Sequence, residues 1–181
     1  MSARWPASAL LFVIVVVAGG CGGVKSDPCS ADAGVCGCGP GIDSPANEGG
    51  QHVAEPSTVS YRANPPASGP HWPMWQEPWG AYPMGLPRER WVHNLEHGGV
   101  ALLYNCPTGC DDVVAQLTAL RDSTRPDRFN AQRILIVPDA VMPHRVAAVA
   151  WGWRWQGETV DAATVRCFID ARYDRAPEST P

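Results

Sequence analysis

The chain has 181 residues and a formal net charge of −4, with 45% hydrophobic and 18% charged residues. That length fits one compact domain with flanking segments, and the apolar fraction is enough to build a core. No block of lysine or arginine occurs, so the electrostatic footprint of a nucleic-acid binder is missing and nucleic acid is excluded as a partner. Eighteen glycines and eighteen prolines make the chain loop-rich without giving it the composition of a disordered polymer.

Arg4 precedes an apolar run from Ala7 to Ala18 that contains Leu10, Leu11, Phe12, Ile14 and four valines. A positive start followed by a short apolar stretch reads as an export signal, too short to cross a bilayer of about 30 Å comfortably as a helix. Ala18-Gly19-Gly20-Cys21 then resembles the lipobox of bacterial lipoproteins, with Ala18 where a larger aliphatic residue is usual. The expectation is a signal peptide over residues 1–20, cleaved before a lipid-modified Cys21. Acyl chains would then anchor the protein to a membrane of the cell envelope, facing the periplasm or the exterior.

Seven cysteines are an odd number, and assigning Cys21 to lipid leaves Cys29, Cys36, Cys38, Cys106, Cys110 and Cys167. In an exported protein an even set reads as structural disulfides, whose pairing the sequence leaves open. Cys36-Gly37-Cys38 is not the C-x-x-C of a thioredoxin-like centre, and no second C-x-x-C supplies a zinc knuckle.

Residues 21–57 are rich in Gly, Ser, Asp, Pro and Ala, without large apolar periodicity, and read as a tether. The remainder, residues 58–181, reads as a single domain. It opens with a ribbon rich in proline and tryptophan, from Tyr61 to Pro87, where the prolines forbid a helix or a central strand. Trp72, Trp75 and Trp79 either pin that ribbon to the domain or, through the stretch Trp72–Tyr82, offer a protein partner a docking surface.

Val100–Tyr104 and Ile134–Val137 are short apolar runs expected as buried strands. Asp111 and Asp112 open a helix with Val113, Val114, Leu117 and Leu120 at helical spacing. Val146–Gln156 alternates, which predicts one strand with Val149, Trp151, Trp153 and Trp155 on a shared face. Asp161 is placed to N-cap a last helix carrying Val165, Phe168, Ile169 and Arg172 on one side. The whole reads as an α+β domain: a small sheet of three to five strands, two helices and the Pro/Trp-rich N-terminal ribbon.

The densest polar constellation is Val92-His93-Asn94-Leu95-Glu96-His97-Gly98-Gly99. His93 and His97, four apart, share a face in either a helix or a strand. His71, at the end of the ribbon's first half, supplies a third imidazole if the ribbon folds back. Three histidines with Glu96 as ligand or orienting partner make a site for copper or zinc. Met74 and Met84 would add soft sulfur suited to Cu(I), whereas His52 and His144 stand isolated. The same residues spell H-x-x-E-H, the pattern of inverted zinc peptidases, with Glu158 or Glu178 as a distant ligand. Gly98-Gly99 stops any helix there, against the mid-helix placement those enzymes need. Ser68 reads as turn chemistry. Cys110, at the start of the helix opened by Asp111, has the location of a redox thiol but lacks a thioredoxin-like context.

The blocks Asn64-Pro65-Pro66-Ala67-Ser68-Gly69-Pro70-His71, Val92 through Val100 with Tyr104, Ala148-Val149-Ala150-Trp151-Gly152 and Ala176-Pro177-Glu178 resemble a bacterial envelope family catalogued as domain of unknown function 3105. The resemblance runs from Tyr61 to Glu178, and S-G-P-H followed by H-N-L-E-H-G is its most specific part. It implies an N-terminal membrane tether and places His71, His93, Glu96 and His97 in signature blocks, with no activity attached.

Overall fold

A computed structural model describes residues 37–178 together with Met1 and Thr180. The expected signal peptide, the lipidation site Cys21 and the cysteines Cys29 and Cys36 lie outside the described residues. Six strands and three helices follow in the order β1 (Ile42–Asp43), β2 (Gly80–Ala81), α1 (Arg88–Glu96), β3 (Val100–Tyr104), α2 (Asp111–Asp122), β4 (Ile134–Pro138), β5 (Val146–Ala150), β6 (Trp153–Gly157) and α3 (Ala162–Arg172). The sheet order is β1-β6-β5-β3-β4-β2. Strand β4 runs parallel to β3 and β2, while β5 and β6 form an antiparallel hairpin joined to β3 on one side and β1 on the other.

The central strands are apolar on both faces because both are covered. Val100, Leu102, Ile134, Ile136 and Ala148 point to α2 and α3, where they meet Val113, Leu117, Val165, Phe168 and Ile169. Ala101, Leu103, Leu135, Val137 and Val149 point the other way, to Trp91, Val92 and Leu95 of α1. Asp161 caps α3 as expected, its carboxylate accepting from the Thr164 amide at 3.1 Å, and Arg172 lies over the Trp153 ring 3.6 Å from its centroid.

Four expectations need correction. The sheet has six strands, because two-residue strands add an edge on each side. Among the described residues there are three helices, because Arg88–Glu96 is helical and buries Trp91, Val92 and Leu95 against the sheet. Residues 146–156 are a hairpin: Gly152 takes φ +74°, a left-handed turn that glycine tolerates without strain. The turn separates Val149 and Trp151, on the α1 side, from Trp153 and Trp155, on the side of α2 and α3. Finally, the domain starts before residue 58: Ile42 and Asp43 pair with Trp155 and Arg154, and Cys38 is joined to Cys167 of α3.

The second disulfide, Cys106–Cys110, spans a sequence separation of 4, against 129 for Cys38–Cys167. Loop-closure entropy grows with the logarithm of that separation, so losing Cys38–Cys167 is expected to cost about 5 kcal/mol and losing Cys106–Cys110 about 2 kcal/mol. Urea melts of Cys167→Ser and Cys110→Ser variants measure the order; equal losses would mean that strain or residual denatured structure dominates.

Candidate metal centre

Helix α1 positions the centre. It ends in a Schellman arrangement: the Gly99 amide donates to the Asn94 carbonyl and the Gly98 amide to the Leu95 carbonyl, both at 2.9 Å. Gly98 takes φ +86°, so the double glycine ends the helix at the cap residue His97. His93 and Glu96 therefore stand on its last turn. Two side chains of α1 then receive the ribbon as a strand partner would. Asn94 accepts from the Gln76 amide at 2.8 Å and donates to the Gln76 carbonyl at 2.9 Å, and Glu89 accepts from the Val59 amide at 2.8 Å. Trp72 is buried and donates its indole N–H to the Ser57 carbonyl, and Trp79 packs against the core on this face.

A short parallel pairing brings in the other two imidazoles. The His71 amide donates to Gln51 and the Val53 amide to His71, at 3.0 and 2.8 Å, which sets His52 beside His71. Ser68, expected to serve a local turn, instead accepts from the Glu48 amide at 3.0 Å, a residue 20 positions earlier, and so ties two segments together. Ring centroids then lie 5.0 Å apart for His52 and His71, 4.9 Å for His52 and His93, and 4.7 Å for His71 and His93. His52, His71, His93 and Glu96 each offer one ligand atom, and those four atoms all lie within 4.8 Å of one another.

Hydrogen bonds fix which nitrogen two of the rings present. His71 Nδ1 lies 2.8 Å from the Gly69 carbonyl and His93 Nδ1 lies 2.7 Å from the Trp72 carbonyl. A carbonyl only accepts, so both Nδ1 atoms carry the hydrogen and both Nε2 atoms present lone pairs. Backbone-anchored imidazoles of this kind are the usual support of metal-binding histidines. His71 is fully buried, and its Nε2 has no hydrogen-bond partner although it lies 2.9 Å from Glu96 Oε2. The distance is short but the alignment is wrong for a hydrogen bond, so a bare nitrogen faces a carboxylate oxygen. Gly50 leaves the other carboxylate oxygen its space, since a Cβ there would overlap Glu96 Oε1.

Burial drives the titration of all four buried groups. It lowers the pKa values of His71 and His93, lowers that of His97 to about 4, with the neighbouring His93 adding to the effect, and raises that of Glu96, reinforced by Glu178. At neutral pH the His71, His93 and His97 rings are therefore uncharged, the form in which imidazole binds metal. For the metal-free protein the sign of the pH dependence follows. Below about pH 6.5 an unfolded chain protonates histidines that the folded state keeps neutral, so stability falls as acid is added toward pH 4. Glu96 acts oppositely, above its ordinary value of 4.5, but it is one group against three. His97, only 7% exposed, accounts for about 3 kcal/mol of the loss. Chelator-treated wild type and His97→Gln, melted in urea between about pH 7 and pH 4, should differ in slope, with the variant flatter; parallel curves would refute the assignment.

Of the residues expected from sequence, His71, His93 and Glu96 come together, but His97 falls outside the four-atom group. Its Nε2 lies 2.8 Å from His93 Nε2 and 3.7 Å from Glu178 Oε2, its Nδ1 bonds Thr180 Oγ1, and its ring lies 4.8 Å from Trp75. His52, expected to be isolated, is in the group; nothing in the sequence beyond the scarcity of histidine marks it. Met74 and Met84 are exposed, their side chains turned to solvent. His144 pairs with Glu158 on the surface at 2.7 Å. The peptidase pattern is not reproduced either: Glu96 joins the ligand group while the second histidine of H-x-x-E-H stays outside it.

A family model described as protein of unknown function (DUF3105) matches residues 52–181. The chain belongs to that family. The match begins at His52, the first residue of the four-atom group, and takes in the rest of it. No curated protein and no solved structure matches the chain. Among the described residues no helix is long and apolar enough to cross a membrane.

Proposed function

We propose that this DUF3105 domain binds one divalent transition metal ion, zinc(II) or copper(II), through His52, His71, His93 and Glu96. The observation that carries the reading is His71 Nε2, a buried nitrogen with no hydrogen-bond partner, 2.9 Å from the Glu96 carboxylate oxygen Oε2. Such a pair is costly without a positive charge between its members. Three imidazoles and a carboxylate suit zinc(II) and copper(II), and with no thioether among them copper(I) loses the soft ligand it prefers. When bound, the ion would supply Lewis acidity. The chain's own residues hold and orient the ligands: the Gly69 and Trp72 carbonyls set the imidazole tautomers, and α1 fixes Glu96. The apolar run before Cys21 and the lipobox-like Ala18-Gly19-Gly20-Cys21 support a lipid-anchored location in the cell envelope.

Metal analysis of the purified protein after dialysis against zinc or copper(II) tests the reading. One ion per chain is expected for wild type and a negligible amount for a His71→Ala/His93→Ala double variant. Equal, negligible metal in both would end it.

A further inference from the structure

We infer that His97 is the gate of the centre and not one of its ligands, a statement that rests on the metal reading above. The direction of each hydrogen bond follows by elimination. His93 spends its Nδ1 hydrogen on the Trp72 carbonyl, so its Nε2 carries only a lone pair. The hydrogen in the 2.8 Å contact between His93 Nε2 and His97 Nε2 therefore comes from His97. That leaves His97 Nδ1 bare, and the Thr180 hydroxyl donates to it. In the metal-free chain the one lone pair His93 can give a metal is thus already taken by His97, within a stacked pair of rings whose centroids are 4.7 Å apart.

A metal reaches His93 only when that N–H lets go, and a second acceptor stands ready. Glu178 Oε2 lies 3.7 Å from His97 Nε2, and the carboxylate is half-exposed and free to close the remaining distance. Its backbone is fixed to α1, with the Glu178 amide donating to the Glu96 carbonyl at 3.2 Å. Arg133 holds the same segment, donating to the carbonyls of Thr180 and His97. Thr180 thus supplies the donor that sets the His97 tautomer, and Glu178 the acceptor that receives its N–H after release. The proton stays on His97 Nε2 throughout; only its acceptor changes. His97 is a positioning residue on this account, and Thr180 and Glu178 bias the two positions of its hydrogen bond.

Zinc chloride and copper(II) chloride added to the full chain test it. In the metal-free wild type, ¹⁵N NMR should show a coupling across the His97–His93 N–H···N bond that disappears on zinc addition. His97→Ala should keep one zinc per chain and an unchanged number of nitrogen ligands in the copper(II) electron paramagnetic resonance spectrum. It should bind zinc about tenfold faster, the factor expected for removing one competing hydrogen bond. Thr180→Val should shift the rate the same way, and Glu178→Gln should slow it. Loss of a nitrogen ligand or of zinc in His97→Ala makes His97 a ligand and overturns the inference alone, as do unchanged rates in all three variants. Absence of metal from wild type overturns both this inference and the metal reading.

Discussion

Zinc at a thousandfold excess over its Kd is expected to stabilise the folded domain by about 4 kcal/mol and to raise Tm by about 10 °C. The effect is large because the four ligands come from separate stretches of chain: His52 from the segment before the ribbon, His71 from within it, and His93 and Glu96 from the last turn of α1. No such cluster exists in the unfolded chain, so binding free energy becomes folding free energy. His71→Ala should abolish most of the rise. Its loss of affinity should exceed the roughly 10- to 100-fold that removing an outer-shell partner costs. His144→Ala should leave the rise intact, because His144 pairs with Glu158 on the surface away from the centre. Differential scanning calorimetry with and without zinc measures all three, and an equal rise in wild type and His71→Ala would place the stabilising ion elsewhere.

Arg133→Ala is expected to destabilise the protein by about 3 to 5 kcal/mol. That is a large part of the 5–15 kcal/mol that holds a typical domain. Arg133 is 1% exposed and four of the five N–H groups of its guanidinium are engaged: Nε bonds Asp127, Nη2 bonds Asp174 at 2.7 Å, and Nη1 bonds the carbonyls of His97 and Thr180. Truncation strands the Asp127 carboxylate, whose side chain is wholly buried, without a counter-charge. It also frees the segment that reaches His97. An Arg133→Met/Asp127→Asn double variant removes both charges together while leaving an oxygen for the Phe129 and Ala131 amides that Asp127 Oδ1 accepts from, and it should recover most of the loss. Urea denaturation measures both; a single variant within about 1 kcal/mol of wild type would mean that water reaches Asp127 and replaces the arginine.

Much of the fold was legible because its strands and later helices follow simple periods. Val100–Tyr104 and Ile134–Pro138 are uninterrupted apolar runs, as strands covered on both faces must be. The faces of α2 and α3 follow from residues three and four apart. Helix α1 was harder to see: Pro87 caps it without a side-chain bond, and Arg88, Glu89 and Arg90 hide the buried trio Trp91, Val92 and Leu95. The hairpin is hidden in the sequence because alternation of large and small residues continues straight across Gly152, and only its positive φ reverses the chain.

The site divides the same way. His71, His93 and Glu96 were within reach, since an H-x-x-E spacing joins the last two on one helix face and the ribbon had only to fold back. His52 was not, because its place depends on backbone pairing between two stretches without regular structure. His97 shares the helix spacing of His93, which made it look equivalent. What separates them is the end of α1 and a hydroxyl from Thr180, a residue far along the chain.

The most direct test of the centre is anomalous diffraction at the zinc edge from crystals grown with zinc. One strong peak is expected about 2.0–2.2 Å from a ring nitrogen of His52, His71 and His93 and from a Glu96 oxygen, with His97 Nε2 turned to Glu178. A peak ligated by His97 in place of His52, or bound zinc with no peak among these four side chains, would contradict the four-ligand centre.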